Sequence, residues 1–582
     1  MSKKISAETV KLESDGLRGS LPEEVANSDD HFSEAGKLLL KFHGIYEQHD
    51  REQRGKKVYS FMIRSKVPGG RLTAEQYLTH DRLASKYAND TLRITTRQTF
   101  QFHGILKDDL APSLRELNHA FVTTLGACGD IVRNVIACPA PGNDPQRIAV
   151  QDFALHLTQA LYPRTTSYHQ IWLDGEEMVK DEVLEEPLYG PTYLPRKFKI
   201  AIAFPGDNCV DVYTNDLGLV AIFDNEGVLT GFNVLVGGGM GTTHNNAETF
   251  ARLASEVGFV LPEQVVDTVK AVVTIHRDYG DRENRKHARL KYVLEDRGVE
   301  WFKEELQRLV DFPIQEVRPM PEFDVDDHMG WHDQGDNLWY IGLPVENGRI
   351  IDRDTYRLRS GLRTIIERFN LPVRLTAQQS ILLTDIRAED KAEVEALLQE
   401  YGIRVIEDFS NVRRYAMACP ALPTCSLAIT EAERILPAVI DELETTLNEL
   451  GIPDEAIAIR MTGCPNGCAR PFVAEIGFVG RSLDKYTMYL GGSFNGTRLA
   501  RPFLDLVHIK DLVPTLRPIL TLYRDQHQPK EGFGDFVNRT GFDALHDLVN
   551  QQAVPEAVAI AEVVTETLTE TFSGTLSPLA GD

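Results

Sequence analysis

Two stretches near the start of the chain show the residue pattern of β-strands. One, from Lys57 to Leu72, is largely apolar and ends in Pro68 and two glycines; the other, from Leu92 to Ile105, alternates and is rich in Thr, Ile and Phe. Alternation with a period of two, in β-branched and aromatic residues, predicts a strand with one buried face. We therefore predict strands in both stretches, the second as one continuous strand.

Apolar residues recur at helical spacing in two later regions. Across 246–334 the periodicity predicts a series of helices. Between Ile435 and Leu450 the apolar residues repeat at helical spacing up to Gly451, a residue that commonly ends a helix. Pro437 stands inside this pattern and should kink or restart the helix. We predict a core helix here, joining the loops on either side of it.

The chain repeats itself. LRITTRQTFQFHGI at 92–105 aligns with VRLTAQQSILLTDI at 373–386, and ACPA at 137–140 recurs at the same separation at 418–421. LGLV at 217–220 matches IGFV at 476–479 further on. Collinear matches with slowly drifting offsets indicate an ancient duplication. The fold class predicted is α+β, with two pseudo-symmetric halves of mixed sheet and helices and a central ligand site where the halves meet.

A chain of 582 residues exceeds a single hydrophobic core, so several domains are expected. The repeat boundaries and composition divide it into six segments. These are an N-terminal arm (1–55), the first half (56–245), a helical middle segment (246–334), the second half (335–505), a C-terminal segment (506–550) and a Thr-rich acidic tail (551–582).

Charge and hydropathy exclude several classes of function. The net charge of -24 repels nucleic acid and anionic membranes. No run of about 18 apolar residues predicts a membrane span, and the first residues lack the apolar core of a signal peptide. We expect a cytoplasmic prokaryotic protein. A small anionic substrate would also be repelled, so a local cluster of Arg and Lys would have to overcome the global field.

Four of the seven cysteines fall between Cys419 and Cys468. They form a C-x5-C and a C-x3-C pair in the sequences ACPALPTC and TGCPNGC, separated by 38 residues. Thiolates suit zinc and iron-sulfur clusters, but structural zinc sites usually space each pair by two to four residues. The wide first pair fits a bulky cubane better. Two disulfides or four buried thiols are the alternatives, which a chain without secretory features disfavours.

These two motifs, at this separation, resemble the signature of the sulfite and nitrite reductase haemoprotein family. The resemblance extends over residues 15–545 and is strongest to the NADPH-dependent assimilatory branch. It implies a [4Fe-4S] cluster bridged by a cysteine to a sirohaem. Carried over by position, the metal ligands are Cys419, Cys425, Cys464 and Cys468, and Cys468 is also the axial ligand of the sirohaem iron.

The first repeat has cations where the second has cysteines. Lys197 and Lys199 flank Phe198 in strand-like sequence, and period-two geometry puts both on one face; Arg93, Thr95 and Arg97 should likewise share a face. A charged strand face is often only solvated surface. The resemblance implies more: Arg64, Arg133, Lys197 and Lys199 bind the substrate anion, and Arg93, Arg97, Gln101 and His103 contact sirohaem carboxylates. His103 could instead be a core histidine.

The resemblance also implies the reaction. It is the six-electron reduction of sulfite to hydrogen sulfide in assimilatory sulfate reduction and cysteine biosynthesis. Electrons come from NADPH through a FAD/FMN flavoprotein alpha subunit, docked at the N-terminal arm of a hetero-oligomer. GGGMGTT at 237–243 lacks the GxGxxG register of a dinucleotide site, so NADPH would be oxidised elsewhere.

Three other functions remain open. One is a ferredoxin-dependent sulfite or nitrite reductase, which shares the cofactors. The others, a non-catalytic iron-sulfur carrier and a zinc-stapled structural protein, do not explain the cation-bearing copy.

Overall fold

The computed structural model describes residues 6–49, 51, 57–142, 144–164, 172–173, 176–177, 186–551 and 558–559. These fall into two compact units. The first comprises 1–409 with the short segments 423–426 and 495–497; the second comprises 410–422, 427–494 and the residues from 498 onward. Apart from residues 551 and 558–559, the predicted acidic tail lies outside the described residues.

The first unit contains eleven helices and nineteen strands among its described residues. The helices are α1 (Ala7–Leu12), α2 (Leu21–Ala26), α3 (Glu34–Phe42), α4 (Ala74–Tyr87), α5 (Leu110–His119), α6 (Pro145–Ala160), α7 (Val265–Tyr279), α8 (Leu290–Arg297), α9 (Val299–Leu309), α10 (Leu358–Phe369) and α11 (Lys391–Glu400). The strands are β1 (Ile45–His49), β2 (Tyr59–Arg64), β3 (Arg71–Leu72), β4 (Leu92–Ile94), β5 (Phe100–Ile105), β6 (Ile136–Ala137), β7 (Trp172–Leu173), β8 (Glu176–Glu177), β9 (Ile200–Ala203), β10 (Leu217–Phe223), β11 (Leu229–Val236), β12 (Ser255–Val260), β13 (Gly330–Gly335), β14 (Leu338–Leu343), β15 (Arg349–Ile350), β16 (Asp352–Arg353), β17 (Tyr356–Arg357), β18 (Val373–Leu375) and β19 (Ile381–Arg387).

Two sheets of the first unit are copies that exchange their edge strands. Their orders are β1-β2-β5-β4-β15 and β13-β14-β19-β18-β3, so each sheet receives its fifth strand from the other repeat. The exchange is symmetric in register: Arg349 pairs with Arg93, and Arg71 pairs with Arg374. This pairing makes the two repeats one interlocked body with a continuous apolar core.

A third sheet of the first unit has the order β6-β9-β10-β11-β12. Strands β6, β9 and β10 run parallel, and β11 and β12 complete the sheet antiparallel. Helix α6 follows β6 in sequence and packs against it and against β9. The carboxyl ends of β6 and β9 therefore lie side by side at one edge.

The second unit repeats that arrangement. Its helices are α12 (Asn411–Arg414), α13 (Leu436–Leu450), α14 (Leu512–Gln526), α15 (Phe533–Thr540) and α16 (Phe542–Gln551), and its strands are β20 (Ala416–Ala418), β21 (Ile459–Thr462), β22 (Ile476–Ser482), β23 (Lys485–Leu490), β24 (Arg501–His508) and β25 (Val558–Ala559). The sheet order is β20-β21-β22-β23-β24-β25, again parallel for its first three strands. The predicted α+β class with two repeated halves is confirmed.

Local predictions need three corrections. The stretch 92–105 is two strands, because the chain turns at Thr95–Thr99 with Gln98 at φ +54°. The middle segment opens with strand β12 rather than a helix, and its three helices follow. Pro437 does not kink α13; it lies in the first turn, where its missing N–H costs nothing. Gly451 ends that helix at φ +76°, as predicted.

Candidate active site

A row of polar side chains crosses the first sheet of the first unit. Arg64 on β2 pairs with Gln101 on β5, Gln101 pairs with Arg93 on β4, and Arg93 pairs with Arg349 on β15. Residues that pair directly across neighbouring strands project from the same face. Three arginines and one glutamine therefore share one face. Of these, Arg64 is a predicted ligand of the substrate anion, and Arg93 and Gln101 are predicted contacts of the sirohaem carboxylates.

The Gln101 amide orients the Arg64 guanidinium. With its oxygen turned toward β2, an orientation assigned from the hydrogen bonds it allows, it accepts from Arg64 Nε at 3.3 Å and Nη2 at 2.5 Å. Gln101 is buried and Arg64 is partly exposed. An arginine has five N–H donors in a rigid fork, so an accessible part of this group remains for an anion.

Arg133 is buried beside a second cation. Its side chain donates from Nε to the Gly129 carbonyl at 2.9 Å and from Nη1 to the Ala127 carbonyl at 3.3 Å. Burial, and then the Arg133 charge, lower the pKa of Lys66 to about 8. Two like charges held close in a buried place favour the binding of an anion between them.

Lys197 and Lys199 flank the fully buried Phe198. Phe198 forms a parallel bridge with Val132, whereas both lysines are partly exposed. The two side chains thus lie on the opposite face from the Phe198 ring, in agreement with the predicted alternation. The Lys199 backbone N–H donates to Asp216 Oδ2 at 2.9 Å, which fixes this segment just before β9.

Tyr46 joins these cations, although the sequence did not single it out. Burial raises the pKa of this phenol, and the charges of Arg133, Arg64 and Arg196 act on it in the opposite direction. The charges of three guanidinium groups therefore act on one phenol on β1. Tyr46 lies in the N-terminal arm (1–55), which the resemblance associated with partner docking and not with the anion site. We call Tyr46, Arg64, Arg133, Arg196, Lys197 and Lys199 the cation cluster.

Arg97 lies in the β4–β5 turn, not on a strand face with Arg93 as predicted. Its Nη1 donates to Asn215 Oδ1 at 2.7 Å, and its Nη2 donates to the Ile200 carbonyl at 2.8 Å and to the Asn134 carbonyl. Strand alternation stops at Ile94 because the chain turns there. In this structure Arg97 ties the turn to the third sheet.

Arg93 and His103 are both buried in the first sheet. Arg93 is among the largest fully buried side chains, and its Nη1 donates to the Ile94 carbonyl at 3.1 Å. The His103 ring places Nδ1 3.4 Å from Gln48 Oε1 on β1. Their predicted contact with sirohaem carboxylates stays a prediction.

The basic residues of the middle segment are engaged with acids and carbonyls. Arg285 pairs with the buried Asp130 at 2.8 Å, and Arg289 forms a bidentate pair with Asp216 at 3.0 and 2.8 Å. Burial, the Arg289 charge and other cations lower the pKa of Lys291 to about 7. Its Nζ donates to three carbonyls, of which Gly241 is at 2.8 Å. Of these groups, Asp216 also accepts the Lys199 backbone N–H, so its pair with Arg289 helps to hold the backbone of this cation-cluster residue.

The predicted metal ligands of the second unit follow the carboxyl ends of parallel strands. Cys419 comes directly after β20, and Cys464 and Cys468 come after the neighbouring β21. Cys419 and Cys464 are buried and Cys468 is exposed. Cys425 is part of the short segment 423–426 that groups with the first unit. All seven cysteines of the chain are reduced, so the alternative of two disulfides is wrong.

N–H groups already point at two of these sulfurs. The Gly463 backbone N–H donates to Cys419 Sγ at 3.4 Å, and Asn466 Nδ2 donates to Cys464 Sγ at 3.4 Å. Amides that donate to ligand sulfurs tune the potential of an iron-sulfur cluster. A side chain at Gly463 would collide with the Thr430 carbonyl, so the close approach requires glycine. The donor set therefore fits an iron-sulfur cluster.

No helix among the described residues is long and apolar enough to cross a membrane.

Two family models match the chain, each twice. The nitrite and sulphite reductase 4Fe-4S domain matches residues 154–313 and 410–556. The nitrite/sulfite reductase ferredoxin-like half domain matches 51–120 and 332–401. The two ferredoxin-like ranges contain most strands of the two strand-exchanged sheets, and the two 4Fe-4S ranges contain most strands of the two sheets that begin with parallel strands.

Curated relatives span nearly the whole chain. It is 46% identical over 559 residues to the sulfite reductase [ferredoxin] of Synechococcus elongatus, covering 92% of this chain and 90% of that protein. It is 45% identical over 545 residues to the sulfite reductase [NADPH] hemoprotein beta-component of Paenibacillus sp., covering 92% and 95%. Among solved structures, the NirA protein of Mycobacterium tuberculosis matches with a TM-score of 0.76 and 24% identity, covering 93% of this chain and 98% of that one.

Proposed function

The chain belongs to the nitrite and sulphite reductase 4Fe-4S family, whose cofactors are a [4Fe-4S] cluster and a sirohaem, and we propose that this member reduces sulfite to hydrogen sulfide. The observation that carries the proposal is the cation cluster, in a protein whose net charge is -24. A concentration of arginine and lysine against that field is what a small oxyanion substrate requires. The relatives named for sulfite reduction support the same substrate.

Cys419, Cys425, Cys464 and Cys468 would hold the cluster, and Cys468 would also bind the sirohaem iron. When bound, these cofactors supply single electrons and an iron site for the sulfur atom. The N–H groups of Gly463 and Asn466 that donate to ligand sulfurs support this assignment. Arg93, Arg97, Gln101 and His103 remain the candidates for contact with sirohaem carboxylates.

The cations would bind and orient the substrate oxygens. Arg64, held by Gln101, offers a fixed pair of N–H donors, and Arg133 offers a second guanidinium. Both neutralise charge on the oxyanion. Each of the three oxygens of sulfite leaves as water and therefore needs protons. Lys197 and Lys199 are better proton donors than arginine, which stays charged at any working pH.

The electron donor we propose is NADPH, acting through a FAD/FMN flavoprotein alpha subunit in a cytoplasmic hetero-oligomer that serves cysteine biosynthesis. Several relatives at 44–46% identity carry the name sulfite reductase [NADPH] hemoprotein beta-component, which supports this donor. A second candidate donor is ferredoxin, favoured by the 46% identity to the Synechococcus elongatus enzyme.

Substrate and residue roles can be tested with a chemical reductant that bypasses the natural donor. The holoenzyme should form sulfide from sulfite with reduced methyl viologen, and Arg64→Ala or Arg133→Ala should lower kcat/KM by about 100-fold or more while iron and sirohaem content are kept. The matched control is Arg71→Ala, an exposed arginine of the same half that pairs with Asp152 at 2.9 Å. Full activity in both cation variants would refute the anion-binding role.

The donor is decided by reconstitution. The same holoenzyme is mixed either with a flavoprotein alpha subunit and NADPH or with reduced ferredoxin, and sulfide is measured. We expect sulfide to form with the flavoprotein and NADPH at a rate near that obtained with the chemical reductant. Turnover with ferredoxin alone would instead establish the second candidate.

A further inference from the structure

The first unit carries a second group of metal-ligand side chains, at the place in the repeat where the second unit has its cysteine loops. Cys138 comes directly after β6, as Cys419 comes directly after β20. Cys209 precedes β10 by as many residues as Cys468 precedes β22. The repeated ACPA motif contains the first of these pairs but not the second. The two loops of the first copy thus retain two thiols in equivalent positions.

Asp207 and His328 complete the group. The ligand atoms of Cys138, Asp207, Cys209 and His328 all lie within 4.8 Å of one another, and none of the four residues is more than 5% exposed. Cys138 Sγ is 3.1 Å from Asp207 Oδ2 and 3.5 Å from His328 Nε2, and those two atoms are 3.1 Å apart. Four donors therefore converge on one point from three segments of the chain.

These separations fit a single small ion. A tetrahedral zinc ion with bonds of about 2.0–2.3 Å has ligand atoms roughly 3.3–3.8 Å apart, close to the distances between Cys138, Asp207 and His328. A cubane would need more room and four thiolates. Two thiolates, an imidazole and a carboxylate are borderline-soft donors, the set that zinc prefers over calcium or magnesium.

The groups behind the ligands are arranged as in metal sites. The other ring nitrogen of His328, Nδ1, is 3.3 Å from Asp326 Oδ2, and the His328 backbone N–H donates to Asp326 Oδ1 at 2.8 Å. A carboxylate behind the second nitrogen fixes the tautomer and ring orientation of a metal-binding histidine. Asp207 uses Oδ1 to accept the Cys209 N–H at 2.9 Å, which leaves Oδ2 directed at the ligand group.

Electrostatics agree with this arrangement. Arg147 Nη1 lies 3.2 Å from Cys138 Sγ. With zinc bound to two thiolates, one carboxylate and a neutral imidazole, the site would carry one net negative charge, which the Arg147 guanidinium balances.

His328 is also held in an unusual backbone conformation. Its φ is +59°, a left-handed value that non-glycine residues seldom adopt. Such conformations persist where the surroundings impose them, and they cluster at functional sites. Here the strain turns the imidazole toward the two thiols.

We propose that Cys138, Asp207, Cys209 and His328 bind one zinc ion in a tetrahedral, structural site. Four protein ligands leave no open coordination position, so the ion would be structural rather than catalytic. It would tie the β6 and β9 loops to the segment just before β13. A cavity of about 480 Å³, lined by His328, Arg147 and Asp326, gives the ion a route to the ligands.

Metal analysis of the holoenzyme tests the proposal independently of activity. After growth with added zinc, elemental analysis by inductively coupled plasma mass spectrometry should find one zinc per chain in addition to the iron of the cofactors. X-ray absorption at the zinc edge should show two sulfur ligands at about 2.3 Å and two nitrogen or oxygen ligands at about 2.0 Å.

Variants locate the ion. Cys209→Ser and His328→Gln should each reduce bound zinc at least tenfold, and Asp326→Asn should weaken its affinity by about 10–100-fold. Iron and sirohaem content should not change. His332→Gln is the matched control, because this histidine lines the same cavity but its Nε2 contacts the Met329 carbonyl at 2.9 Å; it should keep its zinc.

Four results would overturn the site. The first is a zinc-free holoenzyme that takes up no zinc on titration, and the second is zinc that persists in Cys209→Ser and His328→Gln. The third is an X-ray absorption spectrum at the zinc edge without two sulfur ligands. The fourth is a Cys138–Cys209 disulfide in the purified protein. If the ligand variants do not fold, the X-ray absorption spectrum of the unmodified holoenzyme alone decides whether zinc has two sulfur ligands.

Discussion

Gln101 faces Arg64 directly across β5 and β2, and its amide oxygen holds the guanidinium through two donors, at 3.3 and 2.5 Å. The neutral amide orients the positive charge without cancelling it. A carboxylate in this place would bind Arg64 as tightly but would neutralise the charge that an anionic substrate needs. The contact supports a positioning role of Gln101 toward Arg64, in addition to the sirohaem contact that the resemblance implied.

Gln101→Leu should lower kcat/KM for sulfite by about 10–100-fold, the value of one or two hydrogen bonds to a charged group. The change is measured with a chemical reductant, with cofactor content as the control for folding. Gln101→Glu should lower kcat/KM at least as much, because the carboxylate would neutralise the charge of Arg64 while keeping its orientation. Unchanged kinetics in Gln101→Leu would show that Arg64 does not depend on this amide.

The sequence predicted the repeat well, because a duplication can be detected directly from the order of the residues. It did not predict the β4–β5 turn. Thr95–Thr99 is entirely polar, but three of its five residues are β-branched threonines, which favour strands, while the turn depends on Gln98 adopting φ +54°. Gln379, its counterpart in the repeat, has φ +70°. Two glutamines in a left-handed conformation carry no signal in a hydrophobicity pattern.

The group around Cys138 was missed for a different reason. Cys138 was matched to Cys419, but His328 is 190 residues away from it along the chain. Ligands that come from distant segments meet only after the sheet has formed. Of the remaining ligands, only Cys209 could have been identified from the sequence, because the offset that aligns β10 with β22 also aligns Cys209 with Cys468.

Arg97 should stabilise the protein before any cofactor binds. It donates to Asn215 Oδ1 and to the Ile200 and Asn134 carbonyls, so Arg97→Ala leaves several acceptors unpaired and should cost about 2–4 kcal/mol of unfolding free energy. Arg97→Lys should lower the unfolding free energy nearly as much, because an ammonium group cannot reproduce the planar set of guanidinium N–H donors. Denaturant unfolding of the cofactor-free chain measures this. An apo protein of unchanged stability, with sirohaem lost only from the holoenzyme, would instead support the cofactor contact.

Gly463 should be required for the geometry around Cys419. A Cβ there would meet the Thr430 carbonyl and lie 2.6 Å from Ala421 Cβ. Gly463→Ala should therefore displace the N–H that donates to Cys419 Sγ and reduce bound iron and acid-labile sulfide. Gly451→Ala is the control: its Cβ meets nothing within 4 Å, although φ is +76°. That variant should cost only about 1–2 kcal/mol of strain and keep its iron, and equal iron loss in both would refute the steric argument.

Cys419→Ser and Cys138→Ser form a matched pair, since the two residues hold equivalent positions in the repeat. The first should abolish the [4Fe-4S] cluster, measured as iron and acid-labile sulfide per chain, because serine is a poor ligand for a soft metal site. Cys138→Ser should keep its iron and acid-labile sulfide and lose only zinc. Loss of cluster iron in Cys138→Ser would mean that the first copy also contributes to the cluster.

Glu475 should make the second unit less stable as the pH rises toward neutrality. Burial raises the pKa of this carboxyl to about 7, even though it accepts the Gly534 N–H at 2.8 Å and the Ala458 N–H at 2.9 Å. A folded-state pKa above the ordinary 4.5 gives stability that is complete below pH 4.5 and is lost as the pH rises through 7. The total is at most about 3 kcal/mol. We expect the wild type to lose unfolding free energy relative to Glu475→Gln between pH 5 and pH 8, because the wild-type carboxyl ionises over this range and the amide does not titrate. A difference that stays constant between these two pH values would show that Glu475 is ionised throughout, held by its two backbone N–H donors.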